Sequence, residues 1–312
     1  MRVVIVGGAG FIGKNLSIQL VNQGYEVVII DRPGNAFEKK ALELGIKYID
    51  GDYITGNGLK EGIQEDDCVI HLVSTSVPNS SNQDIYIDAQ DNILPAIRLL
   101  DICKQKKVRK VIFASSGGTV YGIPQFLPID EFHVTNPTSA YGIHKLTVEK
   151  YLLLYKELFE LNVCILRIAN PYGPGQIPFR GQGVVATFLA SVLLNKEIQV
   201  WGDGNSVRDY IYIDDLGKAF IKAIEYSGNE VVFNIGSGIG ISVKEILEII
   251  DCNINAAVNV KYIPAKIVDV KSNILKCEKA SKILNWRVNT DIREGVQKMI
   301  ESWDENQQQF IV

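Results

Sequence analysis

Residues 3–13 read V-V-I-V-G-G-A-G-F-I-G, and the order of residue types along them decides the fold. Positions 3–6 are an unbroken β-branched run, the mark of a strand buried on both faces of a parallel sheet. Glycines then fall at 7, 8, 10 and 13, where the chain must turn sharply into the helix that the pattern of residues 11–22 predicts. Gly7, Gly10 and Gly13 form G-x-x-G-x-x-G, and Gly8, Gly10 and Gly13 also satisfy G-x-G-x-x-G. Such a loop lets backbone N–H groups at a helix N-terminus come close to an anion such as a pyrophosphate.

Outward from this loop, a second strand at 26–30 runs into Asp31, 18 residues beyond Gly13. A carboxylate there accepts hydrogen bonds from an adenosine ribose and repels a 2′-phosphate, so the loop and the acid together point to NAD rather than NADP. Arg32 beside it weakens that preference only slightly. A helix is expected at 38–44, strands at 47–49 and 67–72, and a long helix at 92–106 with Ile93, Ala96, Ile97, Leu100 and Cys103 on one stripe. A strand at 111–114, a helix opening near Tyr141 and a strand at 163–168 follow. Strict alternation predicts an α/β fold: a Rossmann doubly wound parallel sheet with helices on both faces. Beyond residue 169 the pattern loosens into Pro- and Gly-rich connections, with helices near 182–195, 213–227, 242–251 and 291–303. We read residues 1–169 as the dinucleotide domain, with 211–236 returning to it. Residues 170–210 and 237–312 then form a smaller C-terminal α/β substrate lobe.

The 312 residues are 46% hydrophobic and 22% charged, with net charge −4, an ordinary globular composition that offers no nucleic-acid footprint. The basic run 104–110 reads as the solvated end of a helix. Five cysteines at 68, 103, 164, 252 and 277 have no regular spacing, and the first three sit in apolar surroundings. They fit a reducing compartment rather than a disulfide framework. Three histidines (71, 133, 144) form no metal-ligand set. The apolar run at the N-terminus is too short for a signal peptide, and no stretch approaches a membrane span. A cytoplasmic protein is the expectation.

Residues 137–149 read P-T-S-A-Y-G-I-H-K-L-T-V-E. Thr138 and Ser139 suit a helix cap, and Tyr141 and Lys145 lie one above the other on one face. By itself this is a capped, partly buried amphipathic helix. Beside a nicotinamide it has a chemical use. A tyrosine of pKa ~10 is a poor base, and bringing it to about 7 takes roughly 4 kcal/mol. A lysine ammonium about 4 Å away at an effective dielectric of ~20 supplies about that much. The strand at 111–114 empties into S-S-G-G-T-V-Y-G (115–122), which brings hydroxyls to the same edge, where Asp52, Tyr53, Leu72, Val73 and Ser74 also end strands. His71 has no catalytic role in this reading.

Taken in order, G-G-A-G-F-I-G, Asp31, S-S-G-G-T-V-Y-G, S-A-Y-G-I-H-K, L-R-I-A-N-P-Y-G-P-G and V-R-D-Y-I-Y-I-D-D-L resemble the extended short-chain dehydrogenase/reductase family. The similarity runs over nearly the whole chain, to K-I-L-N-W at 282–286, and is nearest to nucleotide-sugar 4-epimerases of the UDP-glucose 4-epimerase type. The resemblance implies Tyr141 and Lys145 as catalytic residues and NAD held by Gly7, Gly10, Phe11, Ile12, Gly13 and Asp31. Further cofactor contacts implied are Arg32, Asp52, Tyr53, Leu72, Val73, Ser74, Asn92 and Ser115. On the nucleotide-sugar side it implies Ser116, Gly117, Asn170, Val185, Arg208, Lys266, Asp269 and Asn273, and a homodimer built through the helices at 92–106 and 140–160, whose outer faces would carry Leu99, Leu153 and Leu154.

The sequence departs from the family in two places. The family's catalytic Ser or Thr before V-Y-G falls on Gly117 when counted back and on Ser116 when counted forward, with Thr119 as the other hydroxyl within reach. A phosphate-binding arginine falls on Lys266, which has charge but no fork. Asn273 takes the place of a residue governing room at the sugar C2, and its modest size would admit an N-acetyl group. The expected reaction is 4-epimerisation: Tyr141, aided by Ser116, takes the C4 proton while hydride passes to NAD, and the 4-keto sugar turns over before hydride returns. Dehydration is disfavoured, because no carboxylate occurs between Ser115 and Tyr121. UDP-glucuronate decarboxylation, NADPH-linked keto reduction and a non-catalytic NAD sensor are the alternatives, the last opposed by the presence of all three catalytic groups.

Overall fold

Strand β1 (Arg2–Val6) is the axis of the molecule, with Val3 and Ile5 packed on one face of the central sheet and Val4 and Val6 on the other. In the computed structural model, which describes residues 1–78, 80–254, 259–264 and 270–303, each of these four is essentially solvent-free. The first half of the chain continues as α1 (Phe11–Asn22), β2 (Glu26–Asp31), α2 (Phe37–Glu43), β3 (Lys47–Asp50), α3 (Leu59–Gly62) and β4 (Cys68–His71). It goes on through α4 (Ile85–Lys106), β5 (Lys110–Ser116), α5 (Ala140–Phe159) and β6 (Val163–Ile168). The second half adds β7 (Asn170–Tyr172), α6 (Val184–Leu193), β8 (Ile198–Trp201), β9 (Val207–Tyr212), α7 (Ile213–Glu225) and β10 (Val232–Ile235). Last come β11 (Gly240–Ser242), α8 (Val243–Ile254), β12 (Val260–Ile263), β13 (Ser272–Asn273), α9 (Glu278–Ile283) and α10 (Ile292–Glu301).

Seven strands form one parallel sheet in the order β10-β6-β5-β4-β1-β2-β3. Strand order reverses between β1 and β4, the switch point at whose carboxyl edge a doubly wound sheet binds its ligand. Leu16 and Leu20 of α1 and Leu216 and Phe220 of α7 cover one face; Leu99 and Cys103 of α4 and Val148 and Leu152 of α5 cover the other. The smaller sheet centres on β9, flanked by antiparallel β11 and parallel β13, with β7 also pairing in parallel with β9. Beside it, β8 pairs with β12.

Three details differ from the sequence expectations. Helix α4 begins at Ile85, seven residues before the expected start at 92, because Asp84 caps it by accepting the Ile87 N–H at 3.0 Å. Leu99 faces the core and Leu153 packs half-buried against it, so neither lies on the open outer face assigned to them; Leu154 is exposed there. Lys110 is not solvated but buried, and its ammonium donates to the Ala223 carbonyl at 2.8 Å and to the Ile224 and Tyr226 carbonyls, closing the C-terminal end of α7. Cys68, Cys103 and Cys164 are buried thiols, as their surroundings in the sequence indicate. No helix among the described residues is long and apolar enough to cross a membrane.

Candidate active site

The turn out of β1 is built on close approach. Gly7 has φ +85°, and a Cβ there would lie 2.7 Å from Val73 Cγ2; a Cβ on Gly13 would lie 2.4 Å from the Gly8 carbonyl oxygen. Neither position tolerates a side chain. At Gly10 a Cβ would meet only the Gly7 oxygen, at 3.5 Å, so this side of the turn faces open space. Gly10 is also the N-cap of α1 and supplies no side-chain cap, which leaves the N-terminal dipole of that helix for an anion.

Asp31 ends β2 beside this turn. Its Oδ2 accepts the Ala9 N–H at 2.8 Å and its Oδ1 the Arg32 N–H at 2.8 Å. A carboxylate has about four acceptor sites, so two remain for ribose hydroxyls. Glycine cradle, uncapped helix and fixed carboxylate fit a dinucleotide without a 2′-phosphate.

A cleft of about 1380 Å³ runs from this cradle along the carboxyl edge to the smaller sheet. Gly7, Gly10, Phe11, Ile12, Gly13, Leu72, Ser74 and Ser115 line its cofactor end, and Ser116, Thr119, Tyr141 and Lys145 its centre. Asn170, Val185 and Arg208 line its far end. Other expected residues lie behind the wall. Asp52 accepts the Thr55 N–H at 2.7 Å, Tyr53 donates to the Asn92 carbonyl at 3.2 Å, and Asn92 Oδ1 accepts the Thr75 N–H at 2.9 Å. The Asn92 bond braces the segment after β4, and the Asp52 bond closes a local turn after β3. Gly117 is buried against Leu275, and Asn273 is buried with its amide donating to the Gly117 carbonyl at 3.1 Å. Lys266 and Asp269 lie outside the described residues. Sequence reasoning passed over Ser76, Pro78, Gln176 and Phe179, which also line the cleft; all sit on irregular segments that carry no periodic signal.

Tyr141 and Lys145 occupy the first two turns of α5. Ser139 caps that helix by accepting the Gly142 N–H at 3.2 Å, and Asn82 Oδ1 accepts the Ala140 N–H at 2.9 Å. Lys145 is buried, lies 5.6 Å from the Tyr141 ring centre and donates to the Ala114 carbonyl at 3.0 Å. Burial, and then the Asp88 carboxylate, push the Tyr141 phenol up to about 12. Burial and Asp88 therefore keep the phenol protonated at neutral pH, while Lys145, with one N–H on the Ala114 carbonyl, retains its charge and two further donors. Burial lowers Lys145 to about 8, against the pull of Glu149 and then Asp88. A third rung, Glu149, accepts the Ser115 hydroxyl and pairs with Arg167 at 2.7 Å, which fixes the end of β5 against α5. Among the described residues that line the cleft none is an acid.

A phenol and a buried ammonium set beside a dinucleotide cradle can exchange a proton with a substrate hydroxyl at the place where a nicotinamide exchanges hydride. That is the site of a nicotinamide-dependent enzyme of the Rossmann class. Residues 3–236 match the NAD dependent epimerase/dehydratase family, and the chain belongs to it. It is 32% identical to a UDP-glucose 4-epimerase of Mycolicibacterium smegmatis over 96% of this chain and 98% of that one. It is 34% identical to a dTDP-4-dehydro-6-deoxyglucose reductase of Escherichia coli over 96% of each. The crystal structure of the UDP-glucose 4-epimerase of Thermotoga maritima with UDP-glucose superposes with a TM-score of 0.90 at 32% identity, covering 97% of this chain and 98% of that one. NAD is the cofactor of the family, and the cradle described above fits it.

Proposed function

We propose that the protein is a nucleotide-sugar 4-epimerase acting on a UDP-hexose or UDP-N-acetylhexosamine. The observation that carries this reading is the cleft itself: hydroxyls and a phenol at its centre, Arg208 at its far end, and no acid among its described lining residues. Elimination of water from a sugar needs an acid–base pair of its own, which such a wall does not supply.

Bound NAD would supply the hydride exchange at C4 that makes and unmakes a 4-keto sugar. The chain supplies the rest. Tyr141 Oη takes the C4 hydroxyl proton and returns it, and Ser116 or Thr119 hydrogen-bonds the same sugar oxygen. Lys145 holds a positive charge behind the phenol, which opposes the rise that burial imposes. Arg208 takes the diphosphate, where a guanidinium offers paired donors. Asn273, by holding the Gly117 peptide, sets the floor near C2. The protein acts as a homodimer through the outer faces of α4 and α5. NADPH-linked reduction of a keto sugar is the second reading, and the ribose-facing Asp31 opposes it.

The test is turnover by purified protein without added reductant, offered UDP-glucose and UDP-N-acetylglucosamine in turn and followed by proton NMR. Appearance of the galacto epimer is expected. No change in either sugar with NAD supplied would overturn the proposal and bring UDP-glucuronate decarboxylation forward.

A further inference from the structure

Behind Tyr141 lies a buried acid–imidazole pair that the reaction scheme above does not use. Asp88 of α4 and His144 of α5 are 4% and 2% exposed, and His144 Nδ1 lies 2.8 Å from Asp88 Oδ2. The other carboxylate oxygen accepts the Ser76 hydroxyl. The Asp88 carbonyl accepts the Asn92 amide at 2.8 Å, and Asn92 in turn holds Thr75. One side chain thus joins the cleft-lining segment 74–78 to the helix that bears Tyr141 and Lys145. The His144 ring stands edge-on to the Tyr141 ring with centroids 5.0 Å apart, and its Nε2 is buried with no hydrogen-bond partner among the described residues.

Charge follows from this geometry. Burial, then Lys145, lower His144 to about 4 against the pull of Asp88, so at neutral pH the imidazole is uncharged and Nδ1 donates to the carboxylate. His71, facing the same region from β4, is lowered to about 3 by burial, Lys145 and His144, and is uncharged too. Glu149, one turn past Lys145, is matched by Arg167. Asp88 is left as the one carboxylate that acts on both the Tyr141 phenol and the Lys145 ammonium.

We propose that Asp88 and His144 are positioning residues of the reaction centre: the pair locks segment 74–78 to α5 and places one fixed negative charge behind Tyr141 and Lys145. The inference rests on the proposed proton chemistry of Tyr141 and deepens it.

Asp88→Asn tests it, since the amide can still accept from His144 Nδ1 and donate to the Ser76 hydroxyl while the charge is lost. Tyr141 and Lys145 should both release their protons more readily. A reaction that needs phenolate and ammonium together then has both limbs of its pH–rate profile moved toward acid, by about half a pH unit or more. His144→Asn keeps a donor toward Asp88 and keeps the charge, so its limbs stay at the wild-type pH whatever its rate. A second readout needs no turnover: the Tyr141 ring carbon in carbon-13 tyrosine NMR of NAD-loaded protein, assigned with Tyr141→Phe, should begin to titrate at lower pH in Asp88→Asn than in wild type. Superimposable titrations, or a rate that falls with the limbs unmoved, overturn the inference. Failure of wild-type turnover sinks the epimerase reading, and the NMR titration still decides this one.

Discussion

As the proposed base, Tyr141 works only as well as its neighbours let it. Its phenol at about 12 is far from a base at neutral pH, and the positive nicotinamide of bound NAD is the further charge that can bring it down. Tyr141→Phe should therefore lower turnover by about 10²–10⁴-fold while NAD binding is retained, measured by NMR turnover and by NAD content after gel filtration. Lys145 gives a sign as well as a size. Its ammonium is present below about 8 and lost above it, so turnover should fall as pH rises through that value. A profile flat to pH 10 would deny the ammonium a role. The choice between hydroxyls is also open to measurement. Thr119 Oγ1 is buried without a hydrogen-bond partner among the described residues, whereas Ser116 lies half-buried on the cleft wall. If Ser116 meets the sugar oxygen, Ser116→Ala should cost about 10²-fold or more in kcat and Thr119→Ser little. At this scale the placement of Tyr141 and Lys145 together on α5 was legible in the sequence, because a four-residue spacing on one helix is local information. The Asp88–His144 pair was not, since its members are 56 residues apart and only the packing of α4 on α5 joins them.

Elements deliver these residues through buried polar braces. Arg167 of β6 pairs with Glu149 of α5 through Nε and Nη2, and its Nη1 donates to Tyr121 Oη at 3.0 Å. Tyr121 in turn donates to Asn234 Oδ1 of β10 at 2.6 Å. This chain crosses from α5 to the edge of the sheet with every link inside the protein. Replacing one partner strands the other: Arg167→Met leaves Glu149 buried and unpaired and should cost about 3–5 kcal/mol, read as a lower denaturation midpoint in urea. Arg167→Met with Glu149→Leu should recover part of that loss, because the pair's stabilisation is set against its own desolvation. The sequence showed most of these elements through apolar periodicity, including α1 and β6 with their observed limits. It missed the first two turns of α4, where Ile85, Tyr86 and Ile87 are all exposed and no stripe faces inward. It also misread Lys110, since a lysine gives no local sign that three carbonyls at the end of another helix will receive it.

At the scale of the whole molecule, strand–helix alternation was enough to read the parallel sheet, because a helix-bearing crossover between parallel strands has a constrained handedness. The smaller sheet was not legible in the same way: β7, β11 and β13 are only two or three residues long and meet through β9 from distant parts of the chain. The outside of the molecule carries the last expectation. Ile143, Leu154 and Leu158 repeat along one face of α5 and are 52%, 46% and 60% exposed, and Ile87 and Leu94 are exposed on the neighbouring α4. Scattered apolar residues need no explanation, but a stripe of them on two helices packed side by side marks a face built to be covered. Two copies related by a twofold axis would cover it with the same surface, each α4–α5 pair against the other. That arrangement would stiffen the helix that carries Tyr141 without adding a residue to the cleft. Leu154→Glu with Leu158→Glu puts like charges opposite one another across such an axis. The variant should sediment as a monomer where the wild type is a dimer, and it should keep NAD while losing thermal stability. A wild type that sediments as a monomer at micromolar concentration would remove the dimer from the proposal, and the exposed stripe would then lack an occupant.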